Sequence, residues 1–220
     1  MIMNQIKCII VAMDVEFLAI IERFNQECFH VYKLEDKYPI AECYKRKLII
    51  AQSGIGKASA KGCVSAIYKQ YPQILSYISA GTSGALFEEL NVGDIIIGNS
   101  IIEKRHEEWS SIQIADDIIQ YMAKQDTRCG SILCSDEFIY KTEDKQALHS
   151  KTEAICVDME SSCIAQFAQD TGVSFAAIKI ISDHANEKSI RSFIRMHKTV
   201  CDKLAIYLYD VIKKLQWRNP

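Results

Sequence analysis

The sequence predicts an α/β fold built around a largely parallel sheet. Short apolar runs alternate along the chain with longer segments in which apolar residues recur at helical spacing. Only 3 Pro and 9 Gly occur in 220 residues, and no repeat, low-complexity stretch or linker is visible. With 49% hydrophobic residues the chain can bury a large core, so we expect one domain over residues 1–220.

The first third of the chain predicts three strands and two helices. The apolar run at residues 6–12 predicts a strand, and helical spacing over residues 14–24 predicts the helix that follows it. A weaker pattern at residues 29–43 indicates a strand or a hairpin. The run at residues 47–52 predicts the next strand, and residues 58–70 have helical spacing.

The rest of the chain continues the alternation. Apolar runs predict strands over residues 74–80, 94–100, 131–134 and 174–181. Helical spacing predicts helices over residues 112–124, 159–171 and 189–215. Parallel strands place their carboxyl ends at one edge of the sheet, which is where ligands bind in open α/β sheets.

Composition excludes several classes of protein. With 26 Lys and Arg against 28 Asp and Glu, the chain has no general attraction to nucleic acid or to an anionic membrane. The 9 Cys form no C-x-x-C pair and no cluster with His at metal-ligand spacing, so we expect no metal and no cofactor. Unpaired cysteines and the lack of a membrane-length apolar run predict a cytoplasmic protein.

Two predicted strands end in glycine turns. Gly54 and Gly56 follow the strand at residues 47–52, and Gly81 and Gly84 follow the strand at residues 74–80. Such turns let a backbone approach a ligand closely, although the first could equally be a simple tight turn. The second also carries hydroxyl groups, which suit a sugar or a water molecule.

Three acidic residues follow apolar runs. Asp183 ends the long run at residues 173–181, where partial exclusion from water suits a carboxyl group to donating a proton. Glu16 follows the first strand, and Glu160 opens a predicted helix. Gathered at one sheet edge, the three would form a hydrolytic site. Each also has a structural interpretation, as a turn or helix cap or as a solvated surface residue.

Seven short motifs together resemble a known family. They occur in register from the first strand to the last: Val11-Ala12-Met13-Asp14-Val15-Glu16, Ser53-Gly54-Ile55-Gly56-Lys57-Ala58, Ala80-Gly81-Thr82-Ser83-Gly84, Val92-Gly93-Asp94-Ile95, Ser135-Asp136-Glu137-Phe138-Ile139, Val157-Asp158-Met159-Glu160 and Ile181-Ser182-Asp183. The chain resembles the methylthioadenosine/S-adenosylhomocysteine nucleosidases of the purine and uridine phosphorylase superfamily. The resemblance implies a three-layer αβα fold with a central twisted, mixed, mostly parallel sheet.

The resemblance also implies a role for each matching residue. Glu16 would activate the attacking water, and Asp183 would protonate N7 of a purine. The substrate-binding positions are Thr82 beside the water and ribose, Phe138 stacking on the base, Ile139 reading the base edge through its backbone, Met159 and Glu160 holding the ribose, Ser182 placing Asp183, and Phe193 closing over the site.

Departures from the family pattern lie near the predicted pocket. An extended segment that follows the strand at residues 94–100 in the family is reduced here to residues 101–111, which affects the expected homodimer and the preference for a 5′ substituent. Asp158 replaces a family Glu, Glu137 replaces a small residue, and Ser135 replaces a Gly. Lys104, Arg105 and His106 form either a solvated basic turn or a contact for an anionic substrate group.

These observations predict a nucleosidase that hydrolyses the N-glycosidic bond of a 5′-substituted adenosine or another purine nucleoside. Its partners would be the small-molecule nucleoside and a second copy of the chain. Two alternatives stay open: a nucleoside phosphorylase, whose phosphate the Glu16 carboxylate would repel, and a nucleoside-binding protein without turnover.

Overall fold

The computed structural model describes residues 6–25, 28–123 and 126–217. Their elements follow in chain order: β1 Ile6–Val11, α1 Asp14–Phe24, β2 His30–Leu34, β3 Tyr38–Cys43, β4 Leu48–Gln52, α2 Lys57–Gln70, β5 Ile74–Ala85, β6 Ile95–Arg105, β7 Glu108–Gln113, α3 Asp116–Met122, β8 Thr127–Cys134, α4 Thr142–Thr152, β9 Cys156–Asp158, α5 Ser161–Thr171, β10 Ser174–Asp183 and α6 Ser189–Trp217.

Within the described residues, ten strands form one mixed sheet flanked by helices, which confirms the expected fold class. Strands β4, β1, β5 and β10 lie side by side in parallel, so their carboxyl ends share an edge. The sheet also closes on itself, because β10, β6, β8, β9 and β5 pair in a ring that returns to β10.

Two hydrophobic clusters cover the two faces of the sheet. Successive residues of β1 alternate between them: Cys8 and Ile10 pack under α2 and α5, while Ile9 and Val11 pack under α1 and α6. Because both faces are covered, strands β1 and β4 bury consecutive apolar residues, Cys8–Val11 and Leu48–Ala51, rather than alternating apolar with polar residues. Burial of these side chains drives the folding of the three layers.

The structure corrects the sequence prediction in the middle of the chain. The predicted helix over residues 112–124 is wrong at its start, because residues 108–113 form β7 and the helix covers only Asp116–Met122. The segment after Ser100 is not a loop, because β6 continues to Arg105 and pairs with β7 as a hairpin. Helix α4 and the three-residue strand β9 were not predicted.

No helix in the described parts of the chain is long and apolar enough to cross a membrane.

Candidate active site

A cavity of about 200 Å³ opens at the carboxyl ends of β1, β5, β9 and β10. Its lining contains most of the residues singled out from the sequence, drawn from six separated segments: Met13, Glu16, Ile55, Thr82, Phe138, Met159, Glu160, Ser182 and Asp183. The sheet therefore brings together acidic residues that lie far apart in the chain, at the edge where ligands bind in α/β folds.

Glu16 lines this cavity and is 1% exposed. Its Oε2 accepts hydrogen bonds from the backbone N–H groups of Ala12 (3.1 Å) and Met13 (3.0 Å). Its Oε1 accepts from the N–H (2.8 Å) and the hydroxyl (3.0 Å) of Thr82. The bond from Met13 caps helix α1, so the structural interpretation of Glu16 is also correct. Four donors hold one carboxylate in a fixed orientation.

Gly81 makes room for that carboxylate. A Cβ atom at this position would lie 3.0 Å from Oε1 of Glu16, and the backbone φ of +150° disfavours any other residue. The glycine thus lets β5 pass directly beside Glu16 and deliver the Thr82 donors to it.

Asp183 lies at the end of β10 and is 1% exposed. Its Oδ1 accepts a hydrogen bond from the N–H of Ala185 at 2.9 Å, and its Oδ2 accepts from the hydroxyl of Ser182 at 2.8 Å. The contact with Ala185 is the turn cap that was the structural interpretation of this residue. Asp183 therefore both caps the turn and lines the cavity.

Glu160 precedes helix α5 and faces the same cavity. Its Oε1 accepts a hydrogen bond from the N–H of Gly56 at 2.7 Å, which gives the first glycine turn a contact in the site. Burial raises the pKa of Glu160 to about 7, and the negative charge of Asp158 adds to this rise. Lys179 and the Gly56 hydrogen bond act in the opposite direction.

Sequence reasoning missed Lys179, which lines the cavity from the middle of β10 and is 2% exposed. Its Nζ donates to Ser79 at 3.0 Å and lies 2.7 Å from Oδ2 of Asp158. Burial alone would lower the pKa of Lys179, but the charges of Asp158 and Glu160 raise it above its ordinary value. A lysine inside an apolar run was the available signal, because a buried lysine is almost always paired.

Asp158 has a structural role in addition to this ion pair. Its carboxylate accepts hydrogen bonds from the N–H (3.1 Å) and the hydroxyl (2.7 Å) of Ser161, which begins helix α5. The pair with Lys179 therefore ties helix α5 to strand β10 beneath the cavity.

The mouth of the cavity includes chain without regular secondary structure. Phe138 lines the cavity from a segment without helix or strand at residues 135–141, and it is 42% exposed. Ile139 packs instead against a small cluster that includes Leu86 and Leu133, and it is not part of the cavity lining. Phe193 lies in α6, but its side chain is outside the described part of the structure.

The basic residues of the hairpin do not line the cavity. Lys104 pairs with Glu107 at 3.2 Å, and Arg105 pairs with Glu103 and donates to Gln166 at 2.8 Å. His106 is exposed at the hairpin tip, where its φ is +53°. This arrangement favours the solvated basic turn over a contact with substrate.

Over the described ranges, no group of three or more His, Cys, Asp or Glu residues is placed to hold a metal ion.

Comparison with known proteins places the chain in a family. The model of the phosphorylase superfamily matches residues 7–213. A 5′-methylthioadenosine/S-adenosylhomocysteine nucleosidase of Staphylococcus aureus is 30% identical over 171 residues, which are 67% of this chain and 73% of the relative.

Solved structures share the fold. A futalosine hydrolase of Helicobacter pylori superimposes with a TM-score of 0.87 at 21% identity, over 96% of this chain and 99% of the other. A 5′-methylthioadenosine/S-adenosylhomocysteine nucleosidase of the same organism gives a TM-score of 0.87 at 23% identity, over 96% and 98% of the two chains. The matched range and the curated relative show that the chain belongs to the phosphorylase superfamily and, within it, to the 5′-methylthioadenosine/S-adenosylhomocysteine nucleosidases.

Proposed function

We propose that the chain hydrolyses the N-glycosidic bond of a purine nucleoside and releases the base and a ribose derivative. The substrate class is 5′-methylthioadenosine, S-adenosylhomocysteine or a related 5′-substituted adenosine, in line with the names of its relatives. The observation that carries the proposal is the convergence of two buried carboxyl groups, Glu16 and Asp183, on one cavity.

Asp183 is the proposed general acid. When the bond between C1′ and N9 breaks, its electrons pass to the base, which is a poor leaving group unless a proton neutralises it. We assign this proton transfer to Asp183, with N7 of the purine as the acceptor. The Ser182 hydroxyl lies 2.8 Å from Oδ2 of Asp183 and 3.2 Å from the carbonyl oxygen of Ser83. It can turn from the carboxylate to the carbonyl when Asp183 is protonated.

Glu16 is the proposed general base. An oxygen of its carboxylate would take a proton from water while the water oxygen forms a bond to C1′. The hydroxyl of Thr82 lies 3.0 Å from Glu16 and can contact the same water or the ribose. Because four protein donors already orient the carboxylate, little rearrangement is needed for the reaction.

Glu160 and Met159 are the proposed ribose-binding residues. An ionised Glu160 can accept hydrogen bonds from ribose hydroxyls, and such bonds strengthen as positive charge develops on the sugar. Phe138 offers an aromatic face to the base, Ile139 remains the predicted contact of the base edge, and Phe193 remains the predicted cover of the site. The apolar side chains of Met13 and Ile55 suit a thioether at the 5′ position.

The charges of the cavity favour water over phosphate as the nucleophile. A phosphorylase needs cationic groups around its phosphate. Among the described residues that line the cavity, Lys179 is the cation, and it is already paired with Asp158 at 2.7 Å. A phosphate would also face the Glu16 carboxylate.

A single domain over residues 1–220, a homodimer and a cytoplasmic location remain predictions. Analytical ultracentrifugation would measure the oligomeric state.

Chromatographic detection of free base tests the proposed reaction. The purified chain is incubated with 5′-methylthioadenosine, S-adenosylhomocysteine, adenosine and inosine, each with and without phosphate, beside the Glu16→Gln and Asp183→Asn variants. We expect base release that does not depend on phosphate and that each substitution slows by a factor of about 10²–10⁴. Release only with phosphate would replace the proposal by a phosphorylase. Calorimetric binding without any product would replace it by a nucleoside-binding protein.

A further inference from the structure

The segment at residues 135–141, which carries Phe138, lies between two cavities. Phe138 lines the active-site cavity, while Ser135, Asp136 and Glu137 line a second cavity of about 420 Å³ on the other side. Within this segment Ile139 packs on the cluster of Leu86 and Leu133, while the residues before it border the two cavities and have little apolar packing. The position of that part must depend on particular polar contacts.

The two ends of this segment are fixed. At one end the N–H of Ser135 donates to the carbonyl oxygen of Asp158 at 2.8 Å. At the other end the N–H and the hydroxyl of Thr142 donate to the Glu187 carboxylate at 3.0 and 2.8 Å. Between these two ends, near Phe138, the segment is held by an ion pair between side chains.

Lys57 makes that contact. Its Nζ lies 3.1 Å from Oδ1 and 3.2 Å from Oδ2 of Asp136, two residues before Phe138. On its other side Nζ lies 3.6 Å from Glu103, whose side chain is 9% exposed. Lys57 itself is only 18% exposed, so the surrounding chain restricts its side chain to this bridging position.

The backbone of Lys57 is tied to the ribose side of the cavity. The preceding residue, Gly56, donates its N–H to Glu160 at 2.7 Å. One dipeptide therefore contacts both the proposed ribose carboxylate and the segment that carries the proposed base-stacking ring.

We propose that Lys57 is a positioning residue that sets the distance between the base-stacking ring of Phe138 and the ribose carboxylate of Glu160. The inference rests on the proposed function. It assigns to Lys57 an effect on substrate binding rather than on bond breaking, because the residue does not line the active-site cavity.

Steady-state kinetics of four variants test this role: Lys57→Met, Lys57→Arg, Asp136→Asn and the double variant Lys57→Met/Asp136→Asn. We expect Lys57→Met to raise KM about fivefold, the effect of losing roughly one partly exposed ion pair, with kcat changed less than about twofold. Asp136→Asn should raise KM to a similar extent. The double variant should be no worse than either single one, and Lys57→Arg should restore most of the affinity.

Lys104→Met is the matched control, because it removes a neighbouring lysine whose partner, Glu107, lies on the hairpin tip. It should leave KM unchanged. Asp136 is 73% exposed, so Asp136→Asn keeps the test valid even if Lys57→Met does not fold.

Three results would overturn the inference: an unchanged KM in both single variants, KM effects that multiply in the double variant, or an equal loss in Lys104→Met. If the wild-type chain releases no base, the proposed function is refuted instead. The wild-type chain is assayed first, so this outcome is distinguished from a failure of the inference about Lys57.

Discussion

The floor and the mouth of the cavity are built in different ways. On the floor, Glu16, Lys179 and Asp183 are at most 2% exposed, and each is held by hydrogen bonds or an ion pair. At the mouth, Phe138 is 42% exposed and lies on a segment without secondary structure. The difference indicates that the sheet fixes the proposed reacting groups, while a few side-chain contacts fix the segment that carries the proposed base-stacking ring.

The largest effect should come from the acid on the floor. Asp183→Asn keeps an acceptor for the Ala185 N–H but cannot supply a proton, so we expect kcat to fall by about 10²–10⁴. The thermal midpoint should change little, because the shape is conserved. Ser182→Ala, assayed beside it, should lose less activity. A kcat within about twofold of wild type in Asp183→Asn would remove Asp183 from the mechanism.

A smaller loss of activity should follow a substitution that crowds Glu16 without replacing a carboxyl group. In Gly81→Ala the new methyl would lie 3.0 Å from Oε1 of Glu16, in a backbone conformation that alanine rarely adopts. We expect kcat to fall roughly tenfold and the free energy of unfolding to fall by about 1–3 kcal/mol.

Gly172→Ala is the control for Gly81→Ala. Gly172 also has a positive φ, +69°, but a Cβ there meets nothing within 4 Å. It should destabilise the chain by about 1 kcal/mol and leave kcat unchanged. Equal effects of the two substitutions on kcat would show that the floor does not require the space beside Glu16.

The pH dependence of KM tests the proposed role of Glu160 as a ribose-binding residue. With a pKa of about 7 for Glu160, the ionised form that is proposed to accept ribose hydroxyls is lost as the pH falls through 7. We expect KM to rise about tenfold between pH 8 and pH 6, and the rise to be absent in Glu160→Gln. A KM that is flat over this range in the wild type would contradict the assignment.

The same group links pH to the stability of the free chain. Its pKa is raised from 4.5 to about 7 in the folded state, so the folded chain binds more protons than the unfolded chain between these values. Glu160 therefore reduces stability as the pH rises from about 4.5 to 7. The thermal midpoint of Glu160→Gln should decline less over that window than that of the wild type.

The smallest effect should come from the mouth. Phe138→Ala removes a half-exposed ring, so we expect KM to rise about fivefold with kcat nearly unchanged and the stability within about 0.5 kcal/mol of wild type. Phe87→Ala is the kinetic control, because it removes a ring that lies tilted against His149, with 5.5 Å between the ring centroids, and does not line the cavity. If Phe138→Ala lowered kcat by a larger factor than it raised KM, Phe138 would act on bond breaking rather than on substrate binding.

Much of the floor was predictable from the sequence because its residues follow apolar runs. Glu16, Thr82 and Asp183 all come at or just after buried strands, and parallel strands must bring such positions together. Lys179 was not found, because it lies inside an apolar run that was interpreted only as a strand. Its partner Asp158 is adjacent in space and not in sequence.

The missed elements lack the signals that sequence patterns provide. Helix α4 is mostly polar and buries only Lys145, so it has no apolar face at helical spacing. Strand β9 has three residues, too few for a period to be recognised. In β7 no residue is fully buried, so its pattern was open to the wrong interpretation as the start of a helix.

The ring of strands β5, β10, β6, β8 and β9 has a consequence for how the chain opens. Strand β5 pairs with β10 over residues 76–84 and with β1 at its start and β9 at its end, and between β1 and β9 the Thr82 N–H donates to Glu16. Amide protons of β5 and β10 should therefore exchange with solvent only when the whole chain unfolds, whereas those of residues 135–141 should exchange through local opening. Hydrogen–deuterium exchange would therefore measure two processes separately. One is the global unfolding of the strands at the floor of the cavity, and the other is the local opening of the segment at its mouth.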